Sequence, residues 1–240
     1  MNILITGGAS GLGKTLTEIL GKSKNNNVYF TYNKSEESAK NITEKFKNTE
    51  AHKCDFSKDS ELTSFKNQIK EMDLDVLINN AYCSKINQIH FHKSPTMDFL
   101  MDFKVNIMPT ISITQEVIKL FRKKKSGKII TILSSYLINK PPVGLSSYVA
   151  NKAYLEKLTK AWANENAKFN ITSNSISPSF MKTALTEDVD DRVVEQMIIN
   201  HPNKELITTK EVAKAVLFLT NVGNHINGFD ILMNAGVNIK

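Results

Sequence analysis

Directly behind a short apolar stretch, Asn2 to Thr6, the chain reads Gly7-Gly8-Ala9-Ser10-Gly11-Leu12-Gly13 and then resumes at helical spacing. No other stretch restricts the fold as much. Leu12, Leu16, Ile19 and Leu20 mark one side of the helix that follows. A strand that breaks into small residues and restarts as a helix aims backbone N–H groups, and the positive end of the helix dipole, at one point. That point attracts an anion. Glycine there allows a tight turn and a close approach of backbone to a phosphate-sized group.

The spacing is Gly7-x-x-x-Gly11-x-Gly13, distinct from Gly-x-Gly-x-x-Gly. A glycine-rich turn without any ligand has the same local pattern. A turn placed after the first strand is nevertheless where an open α/β sheet carries its cofactor. The rest of the chain supports such a sheet. Asn27 to Tyr32 reads as a second strand, Ser35 to about Phe46 as a helix capped by Ser35, Ala51 to Cys54 as a third strand and Asp59 to Glu71 as a helix. Val76 to Ile78 is continuously apolar, as a strand covered on both faces must be. Ser94-Pro95 marks the N-cap and first residue of a helical region reaching about Lys124. An interruption is expected near Asn106 to Pro109, because proline removes a backbone donor. Gly127 to Leu133 is a fifth strand, followed by a helix through Trp162 to about Lys168. Asn170 to Ile176 is a sixth strand, Thr208 or Thr209 caps a helix to about Thr220, and Phe229 to Met233 is the last strand. About seven alternations without a linker predict one α/β domain over 1–240, a doubly wound parallel sheet with helices on both faces.

Candidate site residues stand at the strand ends. The junction after the second strand is Tyr32-Asn33-Lys34-Ser35. A carboxylate there would take the 2′-hydroxyl of NAD, and none occurs before Glu36. Lys34 offers a cation, and Asn33, Ser35 and the helix start offer donors, which favours NADP(H) over NAD(H). A solvated loop lysine fits Lys34 too. Asp55, followed by Phe56, is placed to accept from an adenine amino group or to cap the next helix. Asn79-Asn80-Ala81-Tyr82 closes the fourth strand, with amides that brace the sheet or a nucleotide. Asn106 is a poor helix former inside a helical stretch, where Pro109 leaves a carbonyl free. Ser135 stands at the end of the fifth strand, thirteen residues before Tyr148, and Tyr148 and Lys152 share a helix face at a spacing of four. The sixth strand ends in Ser177-Pro178-Ser179-Phe180. Residues 181–202, with Thr183, are the least regular part and fit a lid over a pocket or a surface helix.

Taken in order, these residues resemble the short-chain dehydrogenase/reductase family of about 250 residues. The likeness runs from Asn2 to Gly236 and includes Thr6-Gly7-x-x-x-Gly11-x-Gly13, Asp55, Asn79-Asn80-Ala81, Asn106, Ser135, Tyr148-x-x-x-Lys152, Asn174 through Pro178, and Thr183. The resemblance implies a Rossmann-type fold and an NAD(P)H-dependent oxidoreductase. The cofactor would lie on Gly7, Ser10, Gly11, Leu12, Gly13, Asn33, Lys34, Ser35, Asp55, Phe56, Asn80, Ala81, Pro178 and Thr183, with Tyr148 and Lys152. The Tyr32-to-Ser35 junction is similar to that of NADPH-using 3-oxoacyl-ACP and pteridine reductases. Tyr148 is then the proton donor in reduction and the base in oxidation. An ammonium at Lys152 would lower the phenol's pKa and hold the nicotinamide ribose. Ser135 would donate to the substrate oxygen, and Asn106 would hold a water that relays protons to Lys152. The leading expectation is an NADPH-dependent ketoreductase of a small or carrier-linked carbonyl. An NAD-dependent alcohol or sugar dehydrogenase is the alternative, as is a nucleotide-binding protein without turnover.

Two positions depart from the family pattern. Tyr82 and Ser179 replace the usual glycines after Asn79-Asn80-Ala81 and after Pro178, near the nicotinamide end. Tyr82, Tyr136, Ser179 and Phe180 are the candidate substrate contacts, with Ser84, Leu137, Leu145 and the 181–202 segment around them. The family forms dimers or tetramers through its two long helices, and Leu155, Leu158 and Trp162 serve either that contact or the core. The net charge of +7 is spread along the chain, and its one run, Arg122 to Lys125, falls at a helix C-terminus. Nucleic acid and membranes are therefore not expected as partners. Cys54 and Cys83 have no cysteine neighbours at metal spacing, and His90 and His92 have no acidic or cysteine cluster beside them, so no metal is expected. The chain start lacks the pattern of a signal peptide, which predicts a cytoplasmic protein.

Overall fold

The computed structural model describes residues 1–83, 88–138, 140–186 and 188–237. Seven strands, β1 (Asn2–Ile5), β2 (Asn27–Tyr32), β3 (Thr49–Lys53), β4 (Val76–Asn79), β5 (Gly127–Ile132), β6 (Ile171–Pro178) and β7 (Asp230–Met233), form one sheet. All its pairs are parallel, in the order β3-β2-β1-β4-β5-β6-β7. The helices are α1 (Gly11–Gly21), α2 (Glu36–Lys45), α3 (Asp59–Ile69), α4 (Thr96–Lys124), α5 (Ser146–Asn166), α6 (Asp191–Asn200) and α7 (Thr209–Asn221). This is the doubly wound Rossmann-type sheet expected from the sequence.

Strand alternation places the core. Ile3, Ile5, Val76 and Ile78 point to one face, against Leu16 and Leu20 of α1 and Val212 and Val216 of α7. Leu4, Leu77 and Ile129 point to the other, against Phe65 of α3 and Ile113, Val117 and Phe121 of α4. Both faces are covered, which is why these strands are apolar at every position. The winding direction reverses between β1 and β4, which pair side by side. The loops leaving their C-terminal ends diverge, and a crevice opens there.

Several local expectations change. α4 is a single uninterrupted helix through Pro109, held by its packed face of Ile113, Val117 and Phe121. The carbonyl that proline leaves without its helical donor is four residues back, at Val105, not at Asn106. The Asn106 carbonyl accepts the Thr110 hydroxyl at 2.9 Å. Pro95, not Ser94, occupies the N-cap, and the Ser94 hydroxyl turns back to the carbonyls of Ile89 and His90. Ser35 stands at the N-cap of α2 without a side-chain cap bond. Asp55 does not cap α3; its carboxylate accepts from the N–H and hydroxyl of Ser57. Leu155, Leu158 and Trp162 pack into the core. Thr208 caps α7 in a full capping box with Glu211. Among the described residues no helix is long and apolar enough to cross a membrane.

At the start of β5, Gly127 lies against the fully buried Phe121 ring, and an added Cβ would come within 2.1 Å of it. Gly127→Ala is therefore expected to cost about 1–3 kcal/mol through overpacking, seen as a lower urea midpoint at unchanged slope. An unshifted midpoint would contradict this packing.

Candidate active site

A cavity of about 390 Å³ opens at the C-terminal ends of β1, β4 and β5. One wall is the glycine turn. Gly7 and Gly11 take left-handed backbone angles, φ +67° and +51°. A Cβ on Gly11 would project to 3.4 Å from Thr183 across the cavity. Gly13 packs so closely beneath that a Cβ there would meet the Gly7 carbonyl oxygen at 2.0 Å. Ser10 stands at the N-cap of α1 without a side-chain cap bond, and the first turn of α1 carries no acidic residue. These unclaimed N–H groups and the helix dipole suit a dinucleotide's pyrophosphate.

The turn is tied to the neighbouring strand. The Thr6 hydroxyl accepts the N–H groups of Asn80 and Ala81, each at 3.0 Å. The Asn80 amide donates to the carbonyls of Thr6 (2.9 Å) and Gly7 (3.1 Å). The Asn80 side chain thus braces the sheet, and Asn80 and Ala81 also line the cavity. Asn79 sits lower, its amide on the Thr114 hydroxyl at 3.0 Å.

Tyr32, Asn33, Lys34 and Ser35 line the cavity beside the turn. Lys53 is neutralised by Glu36 at 2.9 Å, whereas Lys34 has no ion-pair partner among the described residues. Asp55 and Phe56 were expected to touch the cofactor, but neither lines this cavity. The Ser57 hydrogen bonds hold Asp55 below the usual carboxylate range, with Asn33 as a further hydrogen-bonding neighbour. The Phe56 side chain is buried in the core with Phe65 and Leu77.

At the opposite end Tyr148 and Lys152 share the inward face of α5 with Tyr82, Ser134 and Tyr136 around them. The Tyr148 phenol has the Ser134 hydroxyl as its hydrogen-bonding neighbour, and burial pushes its pKa up to about 12. Lys152 is buried, donates to the Ile132 carbonyl at 2.8 Å, and is pulled down to about 8 by desolvation. The lowering of Tyr148 expected from Lys152 is therefore absent here: burial dominates, and the ammonium is directed at a carbonyl. The Tyr82 ring meets that of Tyr148 edge-on, centroids 5.1 Å apart, and covers the Lys152 amine. Burial raises the Tyr82 and Tyr136 phenols as well. Pro178, Ser179, Phe180 and Thr183 line the cavity, as do Leu145 and the apolar Pro142, Met181, Leu185 and Met197. Ser84 lies outside the described residues, and Leu137 packs into the core cluster of Ile107, Leu133 and Leu155.

Two expected catalytic residues are placed differently. Ser135 is buried, opens the 3₁₀ turn Ser135–Leu137 and does not line the cavity. Ser134, still extended at φ −159°, faces Tyr148 instead. The spacing of thirteen counted back from Tyr148 crosses a loop, whereas Ser134 lies two residues past the end of β5. Asn106 also lies outside the cavity wall. Its Oδ1 accepts the Cys83 N–H at 2.6 Å and its Nδ2 donates to the Asp102 carbonyl at 3.0 Å, so it braces the chain beyond Tyr82 against α4. His90 and His92 are exposed, and the described residues contain no group of three His, Cys, Asp or Glu able to hold a metal.

A family model described as short chain dehydrogenase matches residues 1–193. The chain is 33% identical to a 3-oxoacyl-[acyl-carrier-protein] reductase of Buchnera aphidicola subsp. Baizongia pistaciae, covering 98% of this chain and 96% of that protein. It is 30% identical to the Staphylococcus epidermidis protein of the same name, covering 98% and 97%. A Brucella melitensis 3-ketoacyl-(acyl-carrier-protein) reductase complexed with NADH superposes with a TM-score of 0.87 at 22% identity over 99% and 98% of the two chains. A variant of ElxO with NADPH bound gives 0.86 at 28% identity over 98% and 97%.

The folded Lys152 amine titrates below its unfolded value of about 10.4, so unfolding takes up protons between about pH 8 and 10.4. The charged amine thus weakens the fold below pH 8, and this penalty fades as pH rises through that window. Lys152→Met is expected to raise stability by roughly 1–3 kcal/mol at pH 7 and much less at pH 10.5, measured by thermal unfolding at both pH values. Equal effects at the two would refute the buried, desolvated amine.

Proposed function

This chain belongs to the short-chain dehydrogenase family, and on that footing we propose that it is an NADPH-dependent ketoreductase of a carrier-linked or small carbonyl. It is an oxidoreductase of a hydroxyl/carbonyl couple with a nicotinamide cofactor. The observation that carries the reading is the meeting of Tyr148, Ser134 and Lys152 at one end of a cavity whose other end is the glycine turn. The cofactor, when bound, supplies the hydride. The turn and the start of α1 would hold its pyrophosphate, and Lys152 and Thr183 would hold its nicotinamide end. Tyr148, whose buried phenol is protonated at neutral pH, would give that proton to the carbonyl oxygen in reduction. Ser134 donates to the same oxygen as negative charge develops. Asn106 enters as a positioning residue through Cys83.

The solved neighbours hold NADH in one case and NADPH in another. The preference for NADPH here rests on Lys34, a cation without an ion-pair partner among the described residues, at the edge of the cavity. The curated relatives are named for acyl-carrier substrates, and the apolar walls at Pro142, Leu145, Phe180, Met181 and Met197 suit an acyl chain. Met181, Thr183, Leu185, Thr186, Val189 and Met197 line one side, and the 181–202 segment they belong to acts as the substrate-binding lid of a single domain. The exposed side of α4, with Met97, Leu100, Met101 and Met108, and Tyr154 on α5 supports a homodimer or tetramer. Two free thiols accord with a reducing, cytoplasmic setting.

With a 3-oxoacyl thioester and NADPH, Tyr148→Phe is expected to lower kcat by about 10²–10⁴ with cofactor binding retained. Ser134→Ala should lower it by about 10²–10³, and Ser135→Ala by a few-fold at most. Loss of NADPH absorbance measures all three; a Ser135→Ala loss equal to that of Ser134→Ala would reverse the serine assignment. Lys34→Asp should weaken NADPH relative to NADH by about 10–100-fold in kcat/KM, and an unchanged ratio would remove the phosphate assignment.

A further inference from the structure

The family pattern has glycine where this chain has Tyr82, and the structure shows what the added ring touches. The Lys152 amine lies 5.1 Å from the centroid of the Tyr82 ring and 5.8 Å from that of Tyr148. Its hydrogen bond goes to the Ile132 carbonyl of β5. The Tyr82 phenol lies beside Asn151 of α5, whose buried amide nitrogen has no hydrogen-bond partner among the described residues. Its edge-on contact with Tyr148 fixes the near end. One side chain from the β4 exit therefore rests on both members of the pair on α5.

We propose that Tyr82 is a positioning residue of the proton-transfer site: its ring face holds the Lys152 ammonium charged and in place where burial opposes charge. An aromatic face is negative at its centre and attracts a cation, most strongly where water is excluded. Lys152 is 4% exposed, so that attraction is unscreened. The groups that face the amine are the Ile132 carbonyl from β5, Tyr148 from its own helix and Tyr82 from the β4 exit. Tyr148 is in turn faced by Ser134 and Tyr136, and Tyr82 by Asp102 of α4 and by Cys83. A glycine at this position would leave the amine without that face. The inference rests on Tyr148 and Lys152 being the proton-transfer pair, and it assigns a further residue to that site.

The test uses the full chain without cofactor or substrate, labelled at the lysine ε-carbon, with the Lys152 resonance identified by its loss in Lys152→Met. Its NMR titration gives the midpoint directly. Tyr82→Leu, which keeps water out but removes the π face, is expected to lower the Lys152 midpoint by about 0.5–1 pH unit. Tyr82→Phe, which keeps the ring, should leave it within about 0.2 pH unit of wild type. Should Tyr82→Leu fail to fold, Tyr82→Met serves in its place with the same expected drop. A midpoint unchanged in the aliphatic variant overturns the proposal. A drop in Tyr82→Phe as large as in Tyr82→Leu overturns it too, since the hydroxyl and not the ring would then act. Because nothing is turned over, a failure here leaves the Tyr148 and Ser134 assignments standing. Their failure would in turn leave this titration intact.

Discussion

The cross-strand lock between Thr6 and Asn80 is the interaction on which the rest of the site hangs. Thr6 ends the run into the glycine turn, and Asn80 begins the exit from β4. Each satisfies the backbone of the other: the hydroxyl takes two N–H groups, and the amide gives to two carbonyls. These groups sit where the two strands stop pairing and their loops part, so the sheet ladder no longer serves them. Without the lock, the crevice would be lined by unpaired backbone and free to collapse. With it, the glycine turn and the Tyr82 arm are fixed to a common point.

From that point the cavity divides into two electrostatic regimes. At the turn, helix-end N–H groups and Lys34 present positive charge to a partly open space, where an anion loses little hydration. At the other end burial governs. It raises Tyr148 and lowers Lys152, pushing acid and base toward their neutral forms. A buried phenol that keeps its proton is a usable donor, and a buried amine needs nearby polarisable groups to stay charged. The Ile132 carbonyl and the tyrosine rings are those groups in this chain. In the proposed reaction function and stability pull apart, since the amine assigned to the chemistry is one that burial disfavours in its charged form.

Asn106 illustrates how distant parts of the chain serve this end. Its side chain joins α4 to the backbone at Cys83, one residue beyond Tyr82. The Ser147 hydroxyl, beside Tyr148, donates to Asp102 one turn earlier on α4 at 2.7 Å. The long helix, unbroken at Pro109, is thus a rail to which the β4 exit and the start of α5 are both fastened.

Local chemistry determined what could be read along the chain. The Gly7-to-Gly13 turn, the continuous apolar strands, the helical spacing of Tyr148 and Lys152 and the Thr208–Glu211 cap are all short-range patterns. Period and propensity suffice to specify them, and with them the parallel sheet. Tertiary packing decided the rest. Whether Ser134 or Ser135 meets Tyr148 depends on where the β5 backbone stops being extended, which spacing across a variable loop does not report. Whether Pro109 breaks α4 depends on how firmly Ile113, Val117 and Phe121 are held by the sheet. That the Asp55 carboxylate accepts from Ser57 and the Phe56 side chain joins the core are likewise matters of packing. That Tyr82 lies over Lys152 is a matter of where two loops from opposite sides of the crevice come to rest, and side-chain order along one strand carries no information about a neighbour seventy residues away.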